Sequence, residues 1–151
     1  MLRHLLVPTD FSKRSHSALR YAIELARTHG AGIDVLHVVT PPPRADLIVD
    51  AYLGRPLPQV DGAVIEEADR RLRHFINVEQ AGVTVRTMVE PGDPAATIVR
   101  IAVELPSDLI VMGTHARIGV SEMLLGSVAH RVVTCAPCPV LTMRGDEAAR
   151  P

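Results

Sequence analysis

The chain has 151 residues, a formal net charge of −1, 47% apolar residues and only four aromatic ones (two Tyr, two Phe, no Trp). This suits one domain of buried parallel strands under helices. It excludes an aromatic base-stacking platform and gives no electrostatic reason to bind DNA, RNA or an anionic membrane. No apolar run approaches the ~20 residues of a membrane span, and the apolar part of the N-terminus is too short for a signal peptide. A soluble, cytoplasmic protein is expected, with no nucleic-acid and no membrane partner.

Leu5, Leu6 and Val7 read as a short buried strand stopped by Pro8, Thr9 and Asp10. Asp10 or Ser12 can cap the next helix, whose Ala18, Leu19, Ala22, Ile23, Leu25 and Ala26 repeat at helical steps until Gly30. Residues 33–39 form the second strand, ended by Pro41, Pro42 and Pro43. Residues 41–60 are Pro-rich and aperiodic, as a long functional or mobile loop would be. Helical spacing returns over residues 63–81 through Ile65, Ala68, Leu72, Phe75 and Ile76, and stops at Gly82.

Residues 83–89 alternate apolar and polar side chains, as a strand with one wetter face does. Asp93 then caps a third helix with Pro94 in its first turn, and Ile98, Ile101, Ala102 and Leu105 form its apolar face. A fourth strand is predicted over residues 108–112, a fourth helix over about 127–134 and a fifth strand over 140–143. A single domain over residues 1–145 and a loose tail over 146–151 are expected.

Strands alternating with helices imply an open five-stranded parallel sheet with helices on both faces and right-handed crossovers. In the common order 3-2-1-4-5, the ligand crevice lies at the carboxyl ends of strands one and four. Thr9 and Asp10 follow strand one. Strand four leads into Gly113, Thr114, His115, Ala116, Arg117, Ile118 and Gly119, with Leu124, Leu125, Gly126, Ser127 and Val128 beyond. Glycines let backbone N–H groups approach an anion, and the next helix adds the positive end of its dipole: a phosphate cradle. Ala116 stands where a third close-approach glycine is expected.

Cys135 and Cys138 form a C-x-x-C at a helix-to-strand connection, with Pro137 and Pro139 flanking Cys138. A redox pair would sit at a helix start, where the dipole lowers the thiol pKa, so packing is the simpler reading.

From about residue 2 to 144 the chain resembles the universal stress protein family. The resemblance rests on Val7-Pro8-Thr9-Asp10, Leu36-His37-Val38, Gly92-Asp93-Pro94, the run 108–115, Leu124-Leu125-Gly126-Ser127-Val128 and Cys138-Pro139-Val140-Leu141. The family's ATP-binding branch carries G-x2-G-x9-G-[S/T]; Gly113, Gly126 and Ser127 match at the right spacing and Ala116 does not.

The resemblance implies a Rossmann-like, adenine nucleotide alpha hydrolase-like fold. It also implies a site for ATP, AMP or ADP, with Mg²⁺ accompanying the nucleotide. Asp10 would contact ribose or the phosphate-bound metal, with Pro8 and Thr9 beside it. Val38 would lie against adenine, Met112 and Gly113 beneath the nucleotide, and Gly126, Ser127 and Val128 at the phosphates. His115, Ala116 and Arg117 complete the loop. The resemblance further implies a homodimer paired through the edge strand at 140–143, and an apolar edge with open backbone groups agrees.

Blander roles stay open for several of these. Asp10 or Ser127 can be a helix cap, His115 and Arg117 surface residues, and Met112 and Val38 core. Two readings remain: a nucleotide-binding regulatory or sensing module with at most slow hydrolysis, and a dimeric interaction protein that has lost nucleotide binding. Lys13 is the single lysine, so a Lys-dependent phosphate-loop mechanism has no support. Transfer enzymes of similar fold need a HIGH-like or SGGxDS-like signature, which the chain lacks.

Overall fold

The computed structural model describes residues 1–41, 60–76, 82–114 and 125–144. Five strands and four helices alternate along them: β1 (His4–Thr9), α1 (Lys13–His29), β2 (Gly32–Val39), α2 (Gly62–Ile76), β3 (Val85–Pro91), α3 (Pro94–Glu104), β4 (Leu109–Thr114), α4 (Ser127–Cys135) and β5 (Val140–Arg144). All neighbouring strands are parallel, in the order β3-β2-β1-β4-β5. The open parallel sheet expected from the alternation is therefore present, in the expected order.

Strand periodicity divides the core into two layers. Leu5 and Val7 of β1, with Ile33 and Val35 of β2, pack under α1 and α2, where they meet Ala18, Leu19, Ala22, Ile23, Leu72 and Ile76. Leu6 points to the opposite face and joins Leu36, Ile110 and Met112 beneath Ala95, Ile98 and Ile101 of α3 and Ala129 and Val132 of α4. Three alanines on the buried stripe of α1 let that helix lie close to the sheet. The approach is closest at Gly113, where an added Cβ would stand 2.7 Å from the Arg14 carbonyl carbon and 2.8 Å from the Ser15 nitrogen.

β1 and β4 run further toward the cleft than the sequence predicts. β1 takes in Pro8 and Thr9, which continue its register with Leu36 and His37 of β2. Its registered pairs with β4 are confined to Leu5↔Leu109 and Leu6↔Ile110. β1 and β4 thus part after Leu6, and the crevice opens where they do. β4 continues past Met112 through Gly113 and Thr114 because β5 extends the ladder, pairing Gly113 with Met143 and Thr114 with Arg144. Gly113 therefore belongs to the strand and does not begin the loop. β3 starts at Val85, two residues later than the alternation suggests, and ends at Pro91.

The capping expectations separate cleanly. Ser12, and not Asp10, caps α1: its Oγ accepts the Ser15 N–H at 3.2 Å. Asp93 caps α3, accepting the Ala96 N–H at 2.9 Å, with Pro94 in the first turn. Gly92 before it has φ +148, and a Cβ there would stand 2.8 Å from Thr97 Oγ1, so this turn requires glycine. Ser127 is not a cap; it is the first residue of α4, and Gly126 holds the N-cap position.

Packing accounts for one cysteine only. Cys138 packs against the α3–α4 layer, and burial pushes its thiol pKa up, away from thiolate chemistry. Cys135 is exposed. Among the described residues, no helix is long and apolar enough to cross a membrane.

Candidate functional site

A cleft of about 1030 Å³ opens at the carboxyl ends of β1, β2 and β4 and is closed on one side by the first turn of α4. Pro8, Thr9, Asp10, Val38, Met112, Gly113, Gly126, Ser127 and Val128 all line it. Four separate parts of the sequence thus meet in one place. His115, Ala116 and Arg117 lie outside the described residues, as does most of the 41–60 connection.

The turn from β1 into α1 is internally satisfied. Thr9 is 6% exposed; its hydroxyl donates to Ser15 Oγ at 2.9 Å and accepts the Phe11 N–H at 3.0 Å. The Thr9 carbonyl accepts from His37 Nδ1 at 2.8 Å, so the proton of that bond sits on Nδ1. Asp10 is exposed, and its Oδ1 accepts the Ser12 N–H at 3.0 Å in a side-chain turn. These bonds fix the rim of the cleft and aim Asp10 from a rigid turn.

The opposite wall differs. Gly126 caps α4 with φ −54 and brings no side-chain acceptor to the first-turn N–H groups. Those donors have no intrahelical partner, and they carry the positive end of the helix dipole. No Lys or Arg stands among the described residues lining the cleft, and the α4 start supplies positive potential there. The side walls are apolar: Leu36, Val38, Ile98 and Met112 come from the α3–α4 layer.

Arg131 ties the two helices beside the cleft. Its guanidinium makes two 2.9 Å contacts to the Asp93 carboxylate, joining α4 to the cap of α3. Arg131 and, secondarily, the Ala96 N–H hold the Asp93 pKa below the usual carboxylate range. Asp108 does similar work at the other end of the sheet, accepting the Arg3 and His4 N–H groups, which lower its pKa.

Gly113 lines the cleft, but its lack of a side chain serves α1, which crosses directly over it. Close packing against α1 is thus a second reason for a glycine at this position. Sequence reasoning gave no site role to Ser15, Thr40, Pro94, Ile98 and His130, all of which line the cleft. His130 was within reach: it follows Ser127 by three residues on a helix, so both fall on one face. Among the described residues, Asp10 is the single carboxylate on the wall, and no cluster of three or more His, Cys, Asp or Glu could hold a metal.

The universal stress protein family model matches residues 1–144. The chain is 34% identical over 149 residues to universal stress protein MJ0531 of Methanocaldococcus jannaschii, covering 95% of this chain and 83% of the relative. Among solved structures, MJ0577 of the same organism superimposes with a TM-score of 0.75 at 28% identity, covering 98% of this chain and 99% of that one. A more distant structure shares the fold: the Archaeoglobus fulgidus universal stress protein in complex with dAMP, with a TM-score of 0.66 at 24% identity and coverage of 95% and 98%. The match along nearly the whole sequence and the common fold lead to one conclusion: this chain belongs to the universal stress protein family.

Proposed function

We propose that the chain binds an adenine nucleotide, ATP or its AMP or ADP relatives, in the cleft between β1 and β4, and acts in the cytoplasm as a regulatory or sensing module. The observation that carries this is the α4 start. Its N-terminus, with no side-chain cap, borders a cavity whose side walls are apolar. A phosphate would lie at the first turn of α4, against Ser127 and Val128, where backbone donors and dipole favour an anion. The base would lie toward Val38 and Met112. Asp10 would face ribose or a phosphate-bound Mg²⁺. The cavity is at the upper end of the roughly 300–1,000 Å³ of small-molecule sites. Any hydrolysis would be slow, since the cleft wall described offers neither a Lys nor an evident general base.

Dimerisation belongs to the same proposal. β5 is an edge strand with half-buried Val140, Leu141, Thr142 and Met143, and an open parallel edge invites pairing with a second copy. Light scattering at micromolar concentration should give twice the chain mass; a monomer counts against it.

The alternative is a dimeric interaction protein without a nucleotide, and Ala116 in place of the family's glycine favours it. Equilibrium binding of ATP with Mg²⁺ separates the two. Saturable binding supports the first, and none at millimolar ATP supports the second.

A further inference from the structure

On the far side of the Thr9–Ser12 turn from the cleft, a second cavity of about 440 Å³ lies between that turn and α2, lined by Phe11, Glu67, Arg70, Arg71, His74 and Phe75. Phe11 occupies it at φ +62, the left-handed region, where it is the only residue other than glycine found there among the described residues. A bulky side chain in that conformation is unfavourable by about 1 kcal/mol or more. Such local strain is retained where the surrounding structure uses the group it positions. Here the strained backbone directs an aromatic ring out over the α1–α2 layer.

The ring is the centre of a stack. It lies 4.3 Å from the His37 ring and 5.7 Å from Phe75, which meets it edge-on, and His16 packs edge-on against Phe75 at 5.4 Å. The Arg71 guanidinium sits 4.6 Å from the Phe11 centroid. Its neighbours on α2 are neutralised: Arg70 pairs with Glu67 and Arg73 with Asp69. Arg71 has no carboxylate partner among the described residues, although it is exposed. The one carboxylate on the wall, Glu67, is held by Arg70 through two hydrogen bonds. The cavity therefore combines aromatic side chains, a planar set of N–H donors with no carboxylate partner among the described residues, and His74 at its rim.

We infer that this cavity is a second ligand site, distinct from the cleft, that takes a small planar aromatic anion. The flat body would lie against Phe75 beside the Arg71-covered ring of Phe11, and its carboxylate or other oxyanion would take the guanidinium fork of Arg71. A neutral ring would gain only the stacking. A cation would be repelled by Arg71.

Titration of the ¹⁵N-labelled protein with 2-naphthoate, and separately with neutral 2-naphthalenemethanol, tests this. Naphthoate should shift the amides around Phe11, Arg71 and Phe75 saturably, and bind about tenfold or more tighter than the alcohol. Arg71→Gln, at an exposed position that leaves the fold intact, should remove that preference while leaving the alcohol unchanged. Phe75→Leu should weaken both. Shifts confined to the cleft around Val38, Met112 and Ser127, equal naphthoate affinity in Arg71→Gln, or no saturable shift at millimolar naphthoate would each overturn the inference.

Discussion

The starts of α3 and α4 border the same cleft and are built in opposite ways. At α3, Asp93 accepts the Ala96 N–H, Pro94 removes a donor, and Arg131 fixes the carboxylate from the side. An anion arriving there would meet a negative charge and few open N–H groups. At α4, Gly126 supplies no acceptor, so the first-turn donors stand at the cleft wall. The start of α1 resembles that of α3, with Ser12, Thr9 and Asp10 consuming the donors of the turn. Of these three helix starts at the cleft, two satisfy their own donors and act as frame, and the third brings no side-chain cap to its donors.

The sharpest way to break the frame is Gly113→Ala. Its Cβ would meet backbone atoms of Arg14 and Ser15, which cannot rotate away. The expected loss is about 3 kcal/mol, the upper end for overpacking, read as a fall in urea midpoint. A variant as stable as the parent would show that α1 does not cross there.

Making the α4 start resemble that of α3 sharpens the contrast further. Gly126 has φ −54, which any residue adopts, so Gly126→Asp places a capping carboxylate where a phosphate would lie. Thermal stability should hold or rise by up to ~1 kcal/mol, while ATP affinity falls about tenfold or more. A variant that loses stability together with affinity would leave the two effects inseparable and count against the assignment.

Undoing the α3 cap has a smaller effect. Asp93→Ala removes a cap and should cost ~1 kcal/mol, measured by thermal melting. Arg131→Ala removes only a half-exposed ion pair and should cost less than the cap. If Arg131→Ala proves the worse of the two, the pair rather than the cap holds this corner.

The smallest expected effect is with pH. Asp93 and Asp108 both have pKa values lowered in the folded state, by Arg131 and by backbone N–H groups. Their stabilisation is present above the ordinary carboxylate pKa of about 3.9 and is lost as pH falls through the lowered folded values. Asp93→Asn and Asp108→Asn should therefore each flatten the acid limb of the stability profile and leave the neutral limb's slope unchanged.

Much of this frame was legible in the sequence because it follows from periodicity and capping chemistry. The alternation of Leu5, Leu6 and Val7 assigns each to a face, and Asp93-Pro94 announces α3 from residue types alone. The alternation of strands and helices implies the parallel sheet, and the common order 3-2-1-4-5 brings Asp10 and Ser127 together. What the sequence hid depends on contacts between distant segments. β4 reaches Thr114 because β5 pairs with it, and no local signal marks that. Gly113 carries a motif glycine, yet the need for glycine comes from α1 a hundred residues earlier in the chain. Ser127 looked like a cap, and only the backbone angles move that role to Gly126. Phe11 carries no signal at all, because positive φ at a bulky residue has no sequence signature.

The central claim is that the start of α4 is where this chain holds an anionic ligand. Isothermal titration of ATP with Mg²⁺ into the parent protein and into Gly126→Asp, with melting curves on the same samples, tests it most directly. Saturable binding to the parent, and its loss in an equally stable Gly126→Asp, is the expected result. Equal binding by both proteins, or none by the parent at millimolar ATP, would contradict it.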